Sequence, residues 1–254
     1  MKAKSIRGTS AEEIKKALEH SMSDGFAPTL AIVFLSVSQD RKAISTVLHG
    51  EGIQIFGVTT NGEFTDEESQ KLSTAILPLD MKQAYLSIQY KEYRADDFRD
   101  VAFSLAKETL HTFERPAFLL AGSHLSTDAE ALLHGFEEAI SPLVNVYGCM
   151  AGDDFSFTDQ FVFTNDWESN KGMLVLALDE DKIMIRGKAT CGWKAVGTEK
   201  TVTKSEGTHV FTVDNVPVLD LTVKYGGIEN VSPDNPNLLL ELAANFPLQL
   251  QREK

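Results

Sequence analysis

The chain has 254 residues, 43% of them hydrophobic, and a formal net charge of −13. This length allows one large domain or two closely joined halves. The acidic balance argues against binding to nucleic acid or to an anionic membrane surface, because both require a basic face. The N-terminus lacks an apolar signal core, and the longest apolar runs, such as Leu30–Leu35, are too short to span a bilayer. We therefore predict a soluble, cytoplasmic protein.

The first half of the chain predicts alternating helices and strands. Ser10–Glu13 has the spacing of a capping box, which indicates a first helix. Apolar positions then predict a strand, a helix and a strand in turn, at 30–37, 40–49 and 53–58. Segments 73–79 and 84–90 alternate in hydrophobicity, so we expect two strands that are antiparallel neighbours.

The second half predicts the same order. A helix capped by Asp96 and stopped by Pro116 leads into a strand at 117–122. Thr127–Glu130 forms another capping box and opens the next helix. A strand that includes Val146 and Tyr147 follows, and the remaining apolar segments predict strands near 160–165, 173–178 and 183–189.

The two halves repeat each other. Segment 53–64 (IQIFGVTTNGEF) is echoed by 144–155 (VNVYGCMAGDDF), with Gly57 and Gly148 as matching anchors. The pattern predicts a layered α/β domain with a mixed sheet or two sheets, built from two β-α-β-β(β) units with helices on the outer faces. The units cover about 27–90 and 115–190. Each ends a strand in a glycine loop, and ligands of open α/β sheets bind at strand carboxyl ends.

These loops supply groups for a small polar ligand. The first offers hydroxyls, an amide and backbone N–H groups, and its candidate residues are Gly57, Thr59, Thr60, Asn61, Gly62 and Glu63. The second adds sulfur and two carboxylates, those of Asp153 and Asp154, and its candidate residues are Gly148, Cys149, Met150, Gly152 and Asp153. An amino acid needs acceptors for its ammonium and donors for its carboxylate, and the loops together contain both. The alternative is that both are tight turns that simply need glycine.

Other candidates lie nearby in the repeats. Ser36 and Ser123 end the leading strands at equivalent positions, and His124 follows as either a ligand contact or a surface or helix-capping histidine. The run Cys191, Gly192, Trp193 indicates either an aromatic wall over a pocket or a core tryptophan. The acids Asp153, Asp154 and Asp159 lack the spacing of a calcium loop, and we predict a solvated turn there.

The stretch Gly192–Thr203 (GWKAVGTEKTVT), the segment Val213–Leu221 and the two loops together resemble the FIST sensory family, in particular its N-terminal domain. The resemblance covers most of residues 27–225. It implies a sensory domain over 1–225, then a linker and a truncated start of a C-terminal FIST-like segment over 226–254. One departure is Val58–Asn61, where members commonly have a cysteine-serine-containing loop.

The resemblance implies an intracellular module that binds a small, amino-acid-like ligand and relays to a signalling partner. Some members look like haem-based nitric oxide sensors that regulate a histidine kinase. A haem version needs an axial ligand, and the candidates are His124, Cys149, Met150 and Cys191.

Two other function classes stay open. A cysteine-dependent hydrolase or transferase needs a base beside Cys149 or Cys191, and no nucleophile elbow, phosphate loop or metal motif supports catalysis. We therefore predict no catalytic residues and no structural metal. A partner-dependent scaffold that docks through Leu238–Leu242 is the third reading.

Overall fold

The computed structural model describes residues 1–66, 68–94, 97–124, 126–188, 194–195, 197–207, 209–228, 232 and 235. The chain forms two compact units, residues 1–187 and 188–254. No helix in the described ranges is long and apolar enough to cross a lipid bilayer. The docking segment predicted at Leu238–Leu242 lies outside these ranges, and the domain boundary predicted at residue 225 stays a prediction.

The first unit contains thirteen strands and four helices among its described residues. The strands are β1 (Lys2–Ala3), β2 (Ile6–Gly8), β3 (Leu30–Ser36), β4 (Gln54–Thr60), β5 (Glu63–Phe64), β6 (Ser69–Gln70), β7 (Thr74–Asp80), β8 (Leu86–Glu92), β9 (Pro116–Gly122), β10 (Val146–Met150), β11 (Val162–Phe163), β12 (Glu168–Ser169) and β13 (Gly172–Asp179). The helices are α1 (Ala11–Met22), α2 (Arg41–Gly50), α3 (Phe98–Leu110) and α4 (Ala129–Ala139).

Most of these strands belong to two mixed sheets. Sheet A has seven strands in the order β1-β7-β3-β4-β11-β12, with β2 also on β7. Sheet B has four strands in the order β10-β9-β13-β8. β5 and β6 form a separate small hairpin.

The sheets lie face to face between two layers of helices. Phe56 and Val58 of sheet A share one core with Leu174 and Leu176 of sheet B. The other face of sheet A packs against α1 and α2, and the other face of sheet B against α3 and α4. A mixed α/β domain with helices on the outer faces is confirmed. Burial of apolar side chains on both faces of each sheet holds the layers together.

The strand registers confirm that the halves are repeats. β3 and β4 are parallel with Val33 opposite Gly57, and β9 and β10 are parallel with Leu120 opposite Gly148. On the other side of each leading strand lies an antiparallel strand, β7 in sheet A and β13 in sheet B. The two glycines therefore hold equivalent positions.

Two of the predicted strand arrangements are wrong. The strands predicted at 73–79 and 84–90 exist as β7 and β8, but they lie in different sheets. The short 3₁₀ turn Gln83–Tyr85 connects them, and β8 pairs with β13 instead. The strand predicted at 183–189 is absent from its described part, residues 183–188. Ile183 there contributes to the core between the sheets.

Two predicted helix starts differ from those in the structure. α4 is capped by Asp128, whose carboxylate accepts from the amides of Glu130 and Ala131 at 3.0 Å each, rather than by Thr127. α3 begins after Asp97, and the predicted cap Asp96 lies outside the described residues.

The second unit contains a small antiparallel sheet of β14 (Val202–Glu206), β15 (His209–Val213) and β16 (Val216–Pro217). The helix α5 (Val218–Gly226) follows and ends at Gly227, whose φ of 64° is the left-handed conformation that suits glycine at a helix end.

Candidate functional site

The strand-end loops of the two repeats meet at the carboxyl end of sheet A. The chain leaves β10 and crosses to β4, where the Gly152 amide donates to the Thr59 carbonyl at 2.7 Å and the Asp154 amide to the Thr60 carbonyl at 3.2 Å. The Oδ1 atom of Asn61 accepts from the amides of Asp153 at 2.9 Å and Phe155 at 3.2 Å. We call this region, residues 36–38, 59–63, 73 and 151–158, the repeat junction.

The Thr59 hydroxyl is used within the junction. It is fully buried, donates to the Gly152 carbonyl at 2.6 Å and accepts from the Phe161 amide at 2.8 Å. Thr59 therefore holds the two repeats together, and a ligand contact would require breaking these bonds.

Two carboxyl groups of the junction are buried among neutral donors. Glu63 is 3% exposed and accepts from the Thr60 hydroxyl at 2.6 Å and from the amide and hydroxyl of Ser73 at 3.1 and 2.9 Å. Asp153 is 2% exposed and accepts from the Thr158 amide at 2.7 Å. In the described ranges no lysine, arginine or histidine nitrogen lies within 4.0 Å of either group. The predicted solvated acidic turn is thus wrong for Asp153, because that side chain anchors its own loop.

Asp154 faces a chain of hydroxyl groups from repeat one. Its Oδ2 atom lies 2.6 Å from the buried Ser36 hydroxyl, which lies 2.6 Å from the hydroxyl of the exposed Ser38. With Asp154 ionised, Ser36 donates to the carboxylate and Ser38 donates to Ser36. These hydrogen bonds link the exposed Ser38 hydroxyl to the half-buried carboxylate of Asp154, which belongs to the other repeat.

The N-terminus of α2 lies directly beside these hydroxyls. Asp40 caps the helix by accepting from the Ala43 amide at 2.9 Å. The Arg41 guanidinium donates to the Val37 carbonyl at 3.3 Å and lies 3.8 Å from the centre of the Phe161 ring. First-turn amides have no acceptor within the helix, and the helix dipole favours negative charge at this end. A donor-rich element therefore begins with Asp40, two residues after Ser38, whose hydroxyl leads through Ser36 to the Asp154 carboxylate.

The loop that carries Asp154 is conformationally strained. Three of its non-glycine residues have positive φ, 57° for Asp154, 62° for Phe155 and 53° for Phe157. The left-handed region is unfavourable for phenylalanine, and the bonds to Asn61 and within the loop hold it there. Such strain concentrates at binding and switch sites.

The two anchor glycines lie inside strands rather than in loops. An added Cβ at Gly57 would meet the Phe163 ring at 2.3 Å, and one at Gly148 would meet the Leu120 carbonyl oxygen at 2.9 Å. Close packing requires glycine at both positions. Of the other predicted glycines, Gly62 occupies the turn after β4 with φ of 149°, and Gly152 lies against Asn61.

The equivalent strand end of repeat two makes different bonds. Ser36 and Ser123 are equivalent, since their amides donate to the carbonyls of Ser73 and Gly172, each at 2.9 Å. The Ser123 hydroxyl, however, is 3.0 Å from the Ser169 carbonyl. His124 has φ of 101°, and its Nδ1 accepts from the Ser126 amide at 3.3 Å. Neither Ser123 nor His124 hydrogen-bonds to a junction side chain among the described residues.

The sulfur-containing candidates are separated. Cys149 and Met150 are consecutive in β10, so their side chains lie on opposite faces of sheet B. Desolvation raises the pKa of the Cys149 thiol although the residue retains accessible surface, which disfavours the nucleophilic thiolate. Cys191, Gly192 and Trp193 lie outside the described residues.

Metal ligation and cavities among the described residues bear on the predicted site. In the described part of the chain no group of three or more histidine, cysteine and acidic residues is arranged to hold a metal ion. A cavity of about 480 Å³ lies elsewhere, between the N-terminal strands and α1, and is lined by polar residues that include Lys4, Arg7, His20 and Asp24.

Two junction residues, Ser38 and Ser73, are absent from the predicted site. The serines carry no pattern of their own, and only the fold brings them to Ser36 and Glu63. Asp154, predicted as a carboxylate of the second loop or as part of a solvated turn, matches Glu63 when Gly57 is aligned with Gly148.

A sequence model of the FIST N domain matches residues 29–216 of the chain. The chain belongs to the FIST N domain family. FIST is a sensory-domain family implicated in signal transduction, and it is not a known enzyme family. A comparison with curated proteins found no significant match.

Proposed function

We propose that this FIST domain senses a small amino-acid-like ligand at the repeat junction and relays its presence to a signalling protein. The observation that carries the proposal is the hydrogen-bonded chain Ser38–Ser36–Asp154, which joins the start of α2 in repeat one to a carboxylate of repeat two. It supports the proposal because a helix N-terminus, which favours anions, adjoins one end of it, and a carboxylate, which favours cations, lies at the other end.

The ligand's two charged groups have separate partners in this proposal. Its ammonium binds Asp154, whose Oδ2 atom is oriented by Ser36. Its carboxylate binds the first-turn amides of α2. The ligand then bridges the two repeats, and the signal is its higher affinity for the arrangement in which they are close.

A thermal-shift screen with free amino acids tests the proposal, with native mass spectrometry to find co-purifying ligands. We expect a free amino acid to raise the melting temperature, while its N-acetyl and amide derivatives, which lack one charged group each, do not. Asp154→Asn should weaken binding roughly tenfold or more, because a hydrogen bond to a charged group contributes about 1.5–3 kcal/mol. Ser126→Ala, beside His124, is the matched control and should leave binding unchanged.

The opposite results would count against the proposal. Equal melting-temperature shifts from an amino acid and its amide would show that the α2 amides do not bind the ligand's carboxylate. Full affinity in Asp154→Asn would show that Asp154 does not bind its ammonium. An intense Soret band in the purified protein, lost on replacing His124 or Cys149, would favour the haem sensor instead.

A further inference from the structure

The outer edge of β10 carries no paired strand among the described residues, although Gly187 lies against the ring of Tyr147 in this strand. β10 is the terminal strand of sheet B and pairs only with β9 there. Its last three residues, Gly148–Met150, are exposed. All five residues of the strand are uncharged, whereas exposed strand edges are usually protected by charge, proline or a bulge.

The equivalent edge in repeat one is covered. β11 lies antiparallel along β4, with Val162 opposite Val58 and Phe163 opposite Gly57. The register that equates Gly57 with Gly148 also equates Val58 with Cys149. The edge of β4 in repeat one thus accepts an antiparallel extended segment of β-branched and aromatic residues.

We propose that the outer edge of β10 is a docking site for an extended segment of a partner protein, which pairs antiparallel and has basic residues on both sides of an apolar centre. Backbone hydrogen bonds would provide the affinity, as in other cases of strand addition. A second copy of the chain is disfavoured, because each copy has a net charge of −13, and the same charge attracts a basic segment. The proposal does not depend on the ligand of the junction.

A peptide that copies residues 160–164 (QFVFT), with two lysines at each end, is the probe. In one version cysteine replaces the valine that corresponds to Val162, and its sulfur is bonded to 2-thiopyridine. The Cys149 thiolate attacks the peptide sulfur, a protein–peptide disulfide forms, and pyridine-2-thione leaves. The reaction is run at alkaline pH because the pKa of the Cys149 thiol is raised.

The register of the docked strand makes the test specific. Opposed residues of antiparallel strands are close enough for a disulfide, whereas the next residue points to the other face. We therefore expect Cys149 to react roughly tenfold faster or more with this peptide than with one whose cysteine replaces the following phenylalanine, because docking raises the local concentration. Mass mapping distinguishes Cys149 from Cys191, and Cys149→Ser is the negative control.

Three results would overturn the proposal. Equal rates for the two peptides would show that no register is defined. A concentration-dependent dimer with a Cys149–Cys149 disulfide would show that a second copy covers the edge. A disulfide between Cys149 and Cys191 of one chain, formed on mild oxidation, would show that later residues of the same chain cover the edge of β10.

Discussion

The two repeats share strand order and register, yet their carboxyl ends differ in chemistry. In repeat one, Ser36 binds a carboxylate that arrives from the other repeat, whereas in repeat two the equivalent Ser123 binds backbone of its own repeat. The difference arises because the chain after β10 crosses to sheet A instead of folding back over sheet B. The two repeats therefore have the same strand arrangement, but the segment that crosses from β10 brings polar groups only to the carboxyl ends of β3 and β4.

The edges of the repeats differ for the same reason. The crossing segment continues into β11, which covers β4, while β10 has no such cover among the described residues. The same crossing segment thus builds the candidate ligand site, and in the described ranges it leaves the edge of β10 without a paired strand.

Removing the strand cover of repeat one should have the largest effect. Phe163 is 1% exposed, and its ring lies over Gly57. We expect Phe163→Ala to lower the free energy of unfolding by about 3–5 kcal/mol, because a large buried ring leaves a cavity. Urea denaturation measures this. Phe64→Ala, at a residue 78% exposed, is the control, and an equally small loss in both variants would show that β11 is not part of the core.

The equivalent acids Glu63 and Asp154 should respond differently. Glu63→Gln should cost about 1–3 kcal/mol of stability, because an amide cannot accept from Ser73 and Thr60 as the buried carboxylate does. Asp154→Asn should cost less, since its side chain is only half-buried. Thermal and urea unfolding compare the two variants, with exposed Glu68→Gln as reference. A larger loss at Asp154 would reverse the assigned roles of anchor and ligand group.

Releasing the crossing segment should have a moderate effect. Asn61→Ala leaves the amides of Asp153 and Phe155 without their acceptor and should cost about 1–2 kcal/mol. Hydrogen exchange should show faster exchange at these two amides, and Asn61→Asp, which retains an acceptor oxygen, should restore protection. Asn170→Ala removes a surface amide for comparison. Unchanged exchange in Asn61→Ala would mean that other contacts hold the loop.

The smallest effect on stability concerns α1, the helix before repeat one. The pKa of Glu13 is lowered because its carboxylate accepts from the amide and the hydroxyl of Thr9. A lowered folded-state pKa gives stability that is present above the unfolded pKa near 4.5 and is lost as pH falls through the folded value. Glu13→Gln should therefore flatten the fall in stability below pH 4.5. Glu12→Gln is the control, and an unchanged slope in Glu13→Gln would contradict the assignment.

Much of the frame was predictable because it depends on local pattern. The Gly57 and Gly148 anchors identified the repeats, and period-2 and period-3.6 runs identified the central strands and helices. The equivalence of Ser36 and Ser123 also followed from the sequence and is confirmed by their matching amide bonds.

The site chemistry was less predictable because it depends on long-range contacts. Nothing in the sequence around Asp154 shows that it crosses 118 positions to reach Ser36. The pairing of β7 and β8 was unpredictable for the same reason. Their alternating hydrophobicity is typical of neighbouring strands, but the turn Gln83–Tyr85 leads from one sheet to the other. A glycine in a tight turn and a glycine under an aromatic ring have the same sequence pattern, so the packing role of Gly57 needed the structure.

The most direct test of the sensing proposal is a calorimetric titration of Ser36→Ala and Ser123→Ala with the amino acid that gives the largest thermal shift. If the junction of repeat one is the ligand site, Ser36→Ala weakens binding roughly tenfold, because Asp154 loses the hydroxyl that orients it, while Ser123→Ala binds like the wild-type chain. Equal affinity in both variants, or a loss confined to Ser123→Ala, would contradict the placement of the site at this junction.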